Sequence, residues 1–211
     1  RYSSSAGSMA DLICPPYDVI SVEQERALIS ANPNNMVRLE LSELSGPPPA
    51  DRYTSASQSF RRMQDEGVLR QDEASSFYLL RQRFTVADRQ YERVGLLGAL
   101  RLEELGAGVL PHEDTAAGPK EDRLALMEAC AANFSPIMML YRDPVGQVGR
   151  VVAQTVASPP DEDFIVEGQG YSLWSITDPT QVGAIRDALK DQPAYIADGH
   201  HRYETALVYN R

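Results

Sequence analysis

All three histidines of the chain fall in two short motifs, Pro111-His112-Glu113 and Asp198-Gly199-His200-His201-Arg202. A lone histidine is usually a packed or solvated residue, whereas an adjacent pair between a strand and a helix invites a chemical reading. Ala194-Tyr195-Ile196-Ala197 reads as the strand and Tyr203 to Tyr209 as the helix. Gly199 between them can take the left-handed or close-approach conformation that other residues resist. The free N–H groups of the following turn, with the positive end of the helix dipole, make an anion site. His200, His201 and Arg202 add side-chain donors, and the planar fork of Arg202 suits phosphate. Asp198 stands where it could hold a metal ion or take a proton. The plainer alternative is that Asp198 caps the helix while Arg202 pairs with Glu204 or another carboxylate.

The second motif gathers His112, Glu113, Asp114, Thr115, Lys120, Glu121, Asp122 and Arg123 into a loop and helix start punctuated by Pro111, Gly118 and Pro119. Functional loops and merely solvated loops both look like this. No second histidine follows His112-Glu113 at the HExxH spacing, so zinc is weakly signalled there. Lys120 lacks the glycine spacing of a P-loop. A third candidate is the turn Pro15-Pro16-Tyr17-Asp18, where Asp18 either lines a cleft or shapes entry to the next helix. Cys14 and Cys130, far apart and without a CxxC pair, read as small buried hydrophobes rather than nucleophiles.

The elements that must position these groups follow from periodicity. Asp11–Ile20 reads as a short strand broken by Pro15-Pro16. Ser21 with the carboxylates after it starts a helix that ends by Asn32-Pro33. Met36–Leu41 alternates apolar and charged residues and predicts a half-buried strand, with Arg38 and Glu40 on its polar face, turned either to solvent or to a cleft. Ser45–Ala50 is a linker. The spacing of Tyr53, Ala56, Phe60 and Met63 predicts a helix over 51–66, closed by Gly67. Strands over 77–86 and 94–102 form a hairpin through 87–90. A helix over 121–132, a buried strand over 136–141, a strand over 171–176 and a helix over 180–189 complete the pattern, and 145–170 signals weakly. The irregular mixture predicts an α+β fold, a mixed sheet with flanking helices.

With 43% apolar and 24% charged residues in 211, the chain is expected to fold as a globular protein, and no window reaches the roughly 18 apolar residues of a membrane span. Twenty Lys plus Arg against 30 Asp plus Glu, a net charge of -10, argue against nucleic acid as a partner. Scarce cysteine and a polar N-terminal stretch point to the cytoplasm. The chain starts at Arg1 and stops at Arg211 inside a young helix. It is therefore expected to be either a single α+β domain over 1–211, with a sub-boundary near 145–170, or the N-terminal portion of a longer protein. In the second case the last helix would find its packing partners beyond Arg211.

Cys14–Ile20, Asn35–Leu41, Leu110–Thr115 with Gly118–Arg123, Asn133–Ile137 and Ile196–Ala206 together resemble the bacterial and archaeal family called domain of unknown function 1015. The Asp198–Tyr203 stretch also resembles the phosphate-binding turn of the ParB and sulfiredoxin-like fold, in which free L-serine kinases carry a closely similar Asp-Gly-His-His-Arg turn. The resemblance implies a ParB/sulfiredoxin-like element at the C-terminal end. It also implies phosphoryl transfer from ATP, ADP or pyrophosphate to a small hydroxylated molecule such as serine. His200 stands where sulfiredoxin has its catalytic cysteine, which disfavours sulfinic-acid repair, and the helix-turn-helix of ParB has no counterpart.

The resulting expectation is a phosphoryl-transfer enzyme. Gly199, His200, His201 and Arg202 bind phosphate. Asp198 holds Mg²⁺ or the acceptor hydroxyl, and His200, Glu113 and Asp18 join it in catalysis. His112, Lys120 and Arg123 line the cleft. Two rivals remain: a nucleotide-responsive binding module without catalysis, and a metal-dependent hydrolase built on His112, His200, His201 and Asp198.

Overall fold

The computed structural model describes residues 1–41, 52–113 and 118–211, and of 118–120 only the backbone. The linker expected at 45–50, together with Asp114 and Thr115, lies outside the described residues. The protein is α+β, with helices α1 (Met9–Leu12), α2 (Val22–Ala31), α3 (Val37–Glu40), α4 (Arg52–Asp65), α5 (Gly118–Cys130), α6 (Gln147–Val156), α7 (Pro179–Leu189) and α8 (His200–Tyr209). Its strands are β1 (Phe77–Val86), β2 (Arg89–Leu97), β3 (Val109–Leu110), β4 (Met138–Tyr141), β5 (Glu162–Val166), β6 (Gln169–Ile176) and β7 (Ala194–Asp198). Among the described residues no helix is long and apolar enough to cross a membrane.

The chain folds as two compact units. The first comprises Arg1–Gln71, Pro111–Met139 and Ile196–Arg211; the second comprises Asp72–Leu110 and Leu140–Tyr195, so 145–170 falls wholly inside it. The second unit is built on an antiparallel sheet of order β2-β1-β6-β5. Leu79 pairs with Trp174 and Phe77 with Ile176 across β1 and β6. Leu79, Trp174 and Ile176 bury one sheet face against Val151 of α6 and Ile185 of α7. A separate sheet has the order β3-β7-β4, with β3 parallel to β7 in the register Val109↔Ala194.

Three expectations are corrected at the N-terminal half. Asp11–Ile20 is not a strand: α1 and a 3-10 turn over Tyr17–Val19 take its place. Pro15 and Pro16 offer no N–H to a ladder, and Ser8 Oγ accepts from Ala10 N at 3.3 Å to start α1. Met36–Leu41 is not a strand either. Asn35 Oδ1 accepts from Val37 N at 2.9 Å, the Leu41 N–H reaches Val37 O at 2.9 Å, and the segment closes into one helical turn. Six residues of alternation cannot separate these two outcomes, because in the helical turn Val37, Leu39 and Glu40 are all buried. Glu40 therefore faces the interior and not a polar strand face. Asn35, fully buried, also donates Nδ2 to Asp11 O at 2.8 Å and Ile13 O at 2.9 Å, so one amide fastens α1 to α3.

The remaining differences concern edges and turns. Strand β2 begins at Arg89 because Ala87 and Asp88, with φ of 47° and 64°, make the hairpin reversal in two residues. Glu167 and Gly168 do the same between β5 and β6, with φ of 50° and 77°, inside the stretch whose sequence signal is weak. Strand β4 is an edge strand and mostly exposed, with Leu140 56% exposed, so it is not the buried strand its apolar run predicts. By contrast α4 and its Gly67 terminus (φ 68°), the Ser21/Gln24 capping box of α2, β6 and α7 stand where the pattern puts them. The last helix, α8, packs along α5 within the first unit and buries Tyr203 completely.

Candidate functional site

Strand β7 ends at Asp198, and Gly199 turns the chain into α8 with φ 93° and ψ 34°, a left-handed conformation. Having no side chain, Gly199 caps none of the first-turn N–H groups that helix geometry leaves unpaired. A Cβ at this position would meet the Arg202 guanidinium at 2.8–2.9 Å. Arg202 pairs with the Asp198 carboxylate one turn back and donates to the Pro136 carbonyl. Asp198 is thus Arg202's partner and not a cap, as half of the plainer alternative has it. Its side chain is 70% exposed and that of Arg202 21%.

His200 is nearly sealed, its side chain 1% exposed. Its Nε2 accepts from the His112 N–H at 3.3 Å, and its Nδ1 lies 2.9 Å from Glu113 Oε1. That second contact has the length of a hydrogen bond without its alignment, so Nδ1 is buried with no aligned partner. His112 donates Nδ1–H to the Ile196 carbonyl at 2.7 Å, which leaves its Nε2 as the lone-pair nitrogen of the neutral ring. The two imidazoles meet edge to face, centroids 4.5 Å apart at 79°. His112, Glu113 and His200 therefore converge, although 87 residues of sequence separate Glu113 from His200. His201, whose Nδ1 is buried without a hydrogen-bond partner, and Asp198 are not in this group. The side chain of Lys120 lies outside the described residues.

Arg123 has a different setting. Its Nη1 donates to Glu40 Oε2 at 2.8 Å, Nη2 to the Glu40 carbonyl at 3.2 Å and Nε to Asp122 Oδ2 at 2.8 Å. The guanidinium lies 4.0 Å above the Tyr17 ring, and Ser135 Oγ donates to Glu40 Oε1 at 2.6 Å. The Arg123 and Glu40 side chains are 7% and 6% exposed. A shallow, open pocket lies against this network, lined by Glu40, Arg123, Phe134, Ser135, Arg202 and Thr205. Arg123 is thus a cleft residue whose three guanidinium nitrogens are each already engaged. Sequence reasoning left Glu40 between solvent and cleft, and missed Ser135; the available signal for burial of Glu40 was a single carboxylate between Leu39 and Leu41. Asp18 sits exposed on the turn Tyr17–Val19.

The family model described as Protein of unknown function (DUF1015) matches residues 1–211. The chain belongs to this family. No curated protein and no solved structure matches it.

Neither cysteine of this DUF1015 chain is poised for attack. Burial, then the charge of Glu40, pushes the Cys14 thiol up to about 12, and burial also raises Cys130. The linkage has a definite sign. A folded-state pKa above the unfolded thiol's value of about 8.5 means that Cys14 contributes stability which is complete below about pH 8.5 and lost as pH climbs toward 12. Urea midpoints measured at pH 8, 9 and 10 are expected to fall more steeply in wild type than in Cys14→Ala. Parallel slopes would remove Cys14 from the alkaline loss.

Proposed function

We propose that this DUF1015 chain is a phosphoryl-transfer enzyme that uses ATP, ADP or pyrophosphate as donor and a small hydroxylated molecule as acceptor. The single observation that carries this reading is the junction of β7 and α8. A left-handed Gly199 delivers an uncapped helix start whose first three residues are His200, His201 and Arg202. The likeness of this turn to that of the free L-serine kinases supports serine as the acceptor, and phosphoryl transfer needs positioning and charge neutralisation more than covalent chemistry.

In this reading the first-turn N–H groups receive the donor's phosphate oxygens, and Arg202 exchanges Asp198 for phosphate, one charge-assisted partner for another. Asp198, released and mostly exposed, is the carboxylate left to face Mg²⁺ entering with the donor. That ion's contribution is neutralisation of phosphate charge. A lone carboxylate does not make an Mg²⁺ cage, so in this reading the ion arrives on the donor's phosphates. Glu113, held against His200, and the more distant-in-sequence Asp18 are the other carboxylates eligible to take the acceptor's proton. The net charge of -10 favours a small-molecule substrate over nucleic acid.

Calorimetry with Mg-ATP, Mg-ADP and pyrophosphate tests the reading. Arg202→Ala is expected to weaken donor binding by about 1.5–3 kcal/mol. Unchanged affinity in a folded Arg202→Ala would remove Arg202 from the site. Donor binding without phosphorylated product from serine or a pool of small alcohols would instead assign the chain as a nucleotide-responsive module.

A further inference from the structure

We propose that His112, Glu113 and His200 bind one divalent cation of the zinc, manganese or cobalt class beside the start of α8. The site shares Glu113 and His200 with the phosphoryl-transfer reading but does not rest on it. One ligand atom from each of the three side chains lies within 4.8 Å of the other two. Ligands on bonds of about 2.1 Å stand about 3.0 Å apart around an octahedral ion and about 3.4 Å around a tetrahedral one, and His200 Nδ1 and Glu113 Oε1, 2.9 Å apart, open by a few tenths of an ångström at most to share it.

Directions agree with distances. His200 Nδ1 and Glu113 Oε1 are close but not aimed along a shared hydrogen bond, as expected of two groups that point at a common third position. Leaving a ring nitrogen buried without an aligned partner costs stability that an ion would return. His112 is held as a ligating histidine usually is: Nδ1–H donates to a backbone carbonyl, that of Ile196, which fixes the tautomer and leaves Nε2 as the donor atom. Two imidazoles and one carboxylate suit borderline transition metals, whereas Mg²⁺ and Ca²⁺ prefer oxygen alone. Three protein ligands leave coordination positions open to water or an anion.

One contact opposes the ion. His200 Nε2 accepts from the His112 N–H, which in a neutral ring puts the proton on Nδ1. Binding through Nδ1 moves that proton to Nε2, with no net release, and sets two N–H groups facing one another. The bond given up is a long one at 3.3 Å, and the His112 N–H must turn from the ring toward water to relieve the opposition.

The test uses chelator-stripped 211-residue chain without nucleotide, titrated with Zn²⁺ by calorimetry and with Co²⁺ by visible absorption. Wild type is expected to saturate at one equivalent. His112→Ala and Glu113→Gln, both at exposed positions that leave the fold intact, are each expected to lower affinity tenfold or more. His201→Ala is expected to bind as wild type does, and excess Mg²⁺ is expected not to compete. Absence of saturable binding by wild type, or equal affinity in His112→Ala and Glu113→Gln, overturns the site. Donor binding measured on the same metal-free protein tells this failure apart from failure of the phosphoryl-transfer reading.

Discussion

Arg123→Met is expected to destabilise the protein by about 3–5 kcal/mol, because it strands the Glu40 carboxylate inside the first unit without its cation. Glu40 keeps only the Ser135 hydroxyl at 2.6 Å, with its side chain 6% exposed. Asp122 also loses two contacts, of 2.8 and 2.6 Å, although Arg52 and Tyr53 still reach it. The double variant Glu40→Gln/Arg123→Met should recover most of the loss. Its neutral amide can still accept from Ser135, and the buried charge is gone. Urea unfolding of the four proteins in the cycle reads this directly. A double variant as unstable as Arg123→Met would show that packing of the guanidinium over Tyr17, at 4.0 Å, and not the stranded charge, carries the effect.

This network also shows where sequence reading stops. In the second unit β6 and α7 were legible because their signals are local: β6 alternates, and α7 carries Val182, Ile185 and Leu189 on one side, whereas 145–170 carries no such pattern. The first unit depends on side chains that act across long intervals. Asn35 binds the carbonyls of Asp11 and Ile13, and Arg123 reaches back 83 residues to Glu40. No periodicity encodes such a bond, and without it Met36–Leu41 is as good a strand as a helical turn.

The candidate site divides in the same way. The turn from Asp198 to Arg202 was readable because glycine, histidines and arginine adjoin in sequence and the flanking elements are regular. That Arg202 reaches back to Asp198 follows once α8 begins at His200, because Glu204, two residues on, points to another side of the helix; the Pro136 carbonyl, 66 residues away, was not readable. The approach of His112 to His200 needed the fold itself. Leu110 pairs with Tyr195 in parallel β3 and β7, so the residues that follow each strand are carried in the same direction, and the Ile196 carbonyl and His112 ring meet at 2.7 Å.

Gly199→Val is expected to cost about 3 kcal/mol of stability and to abolish donor binding if the phosphoryl-transfer reading holds. A β-branched residue at φ 93° is strained by about 1–3 kcal/mol whatever its surroundings. Its Cβ would in addition meet the Arg202 guanidinium at 2.8–2.9 Å, where ordinary contacts begin near 3.4 Å. Arg202 can swing aside, but in doing so it leaves Asp198 and the Pro136 carbonyl, so relief of the clash is itself a loss. The strain falls on the peptide units that aim the first N–H groups of α8, which the proposed phosphate site requires in register. Gly199→Ala should show the same two effects at smaller size, because it keeps the clash and sheds part of the strain. Thermal unfolding and calorimetry with pyrophosphate separate the consequences. A Gly199→Val protein that unfolds early yet binds pyrophosphate as wild type does would show that the turn is structural and that donor phosphate binds elsewhere.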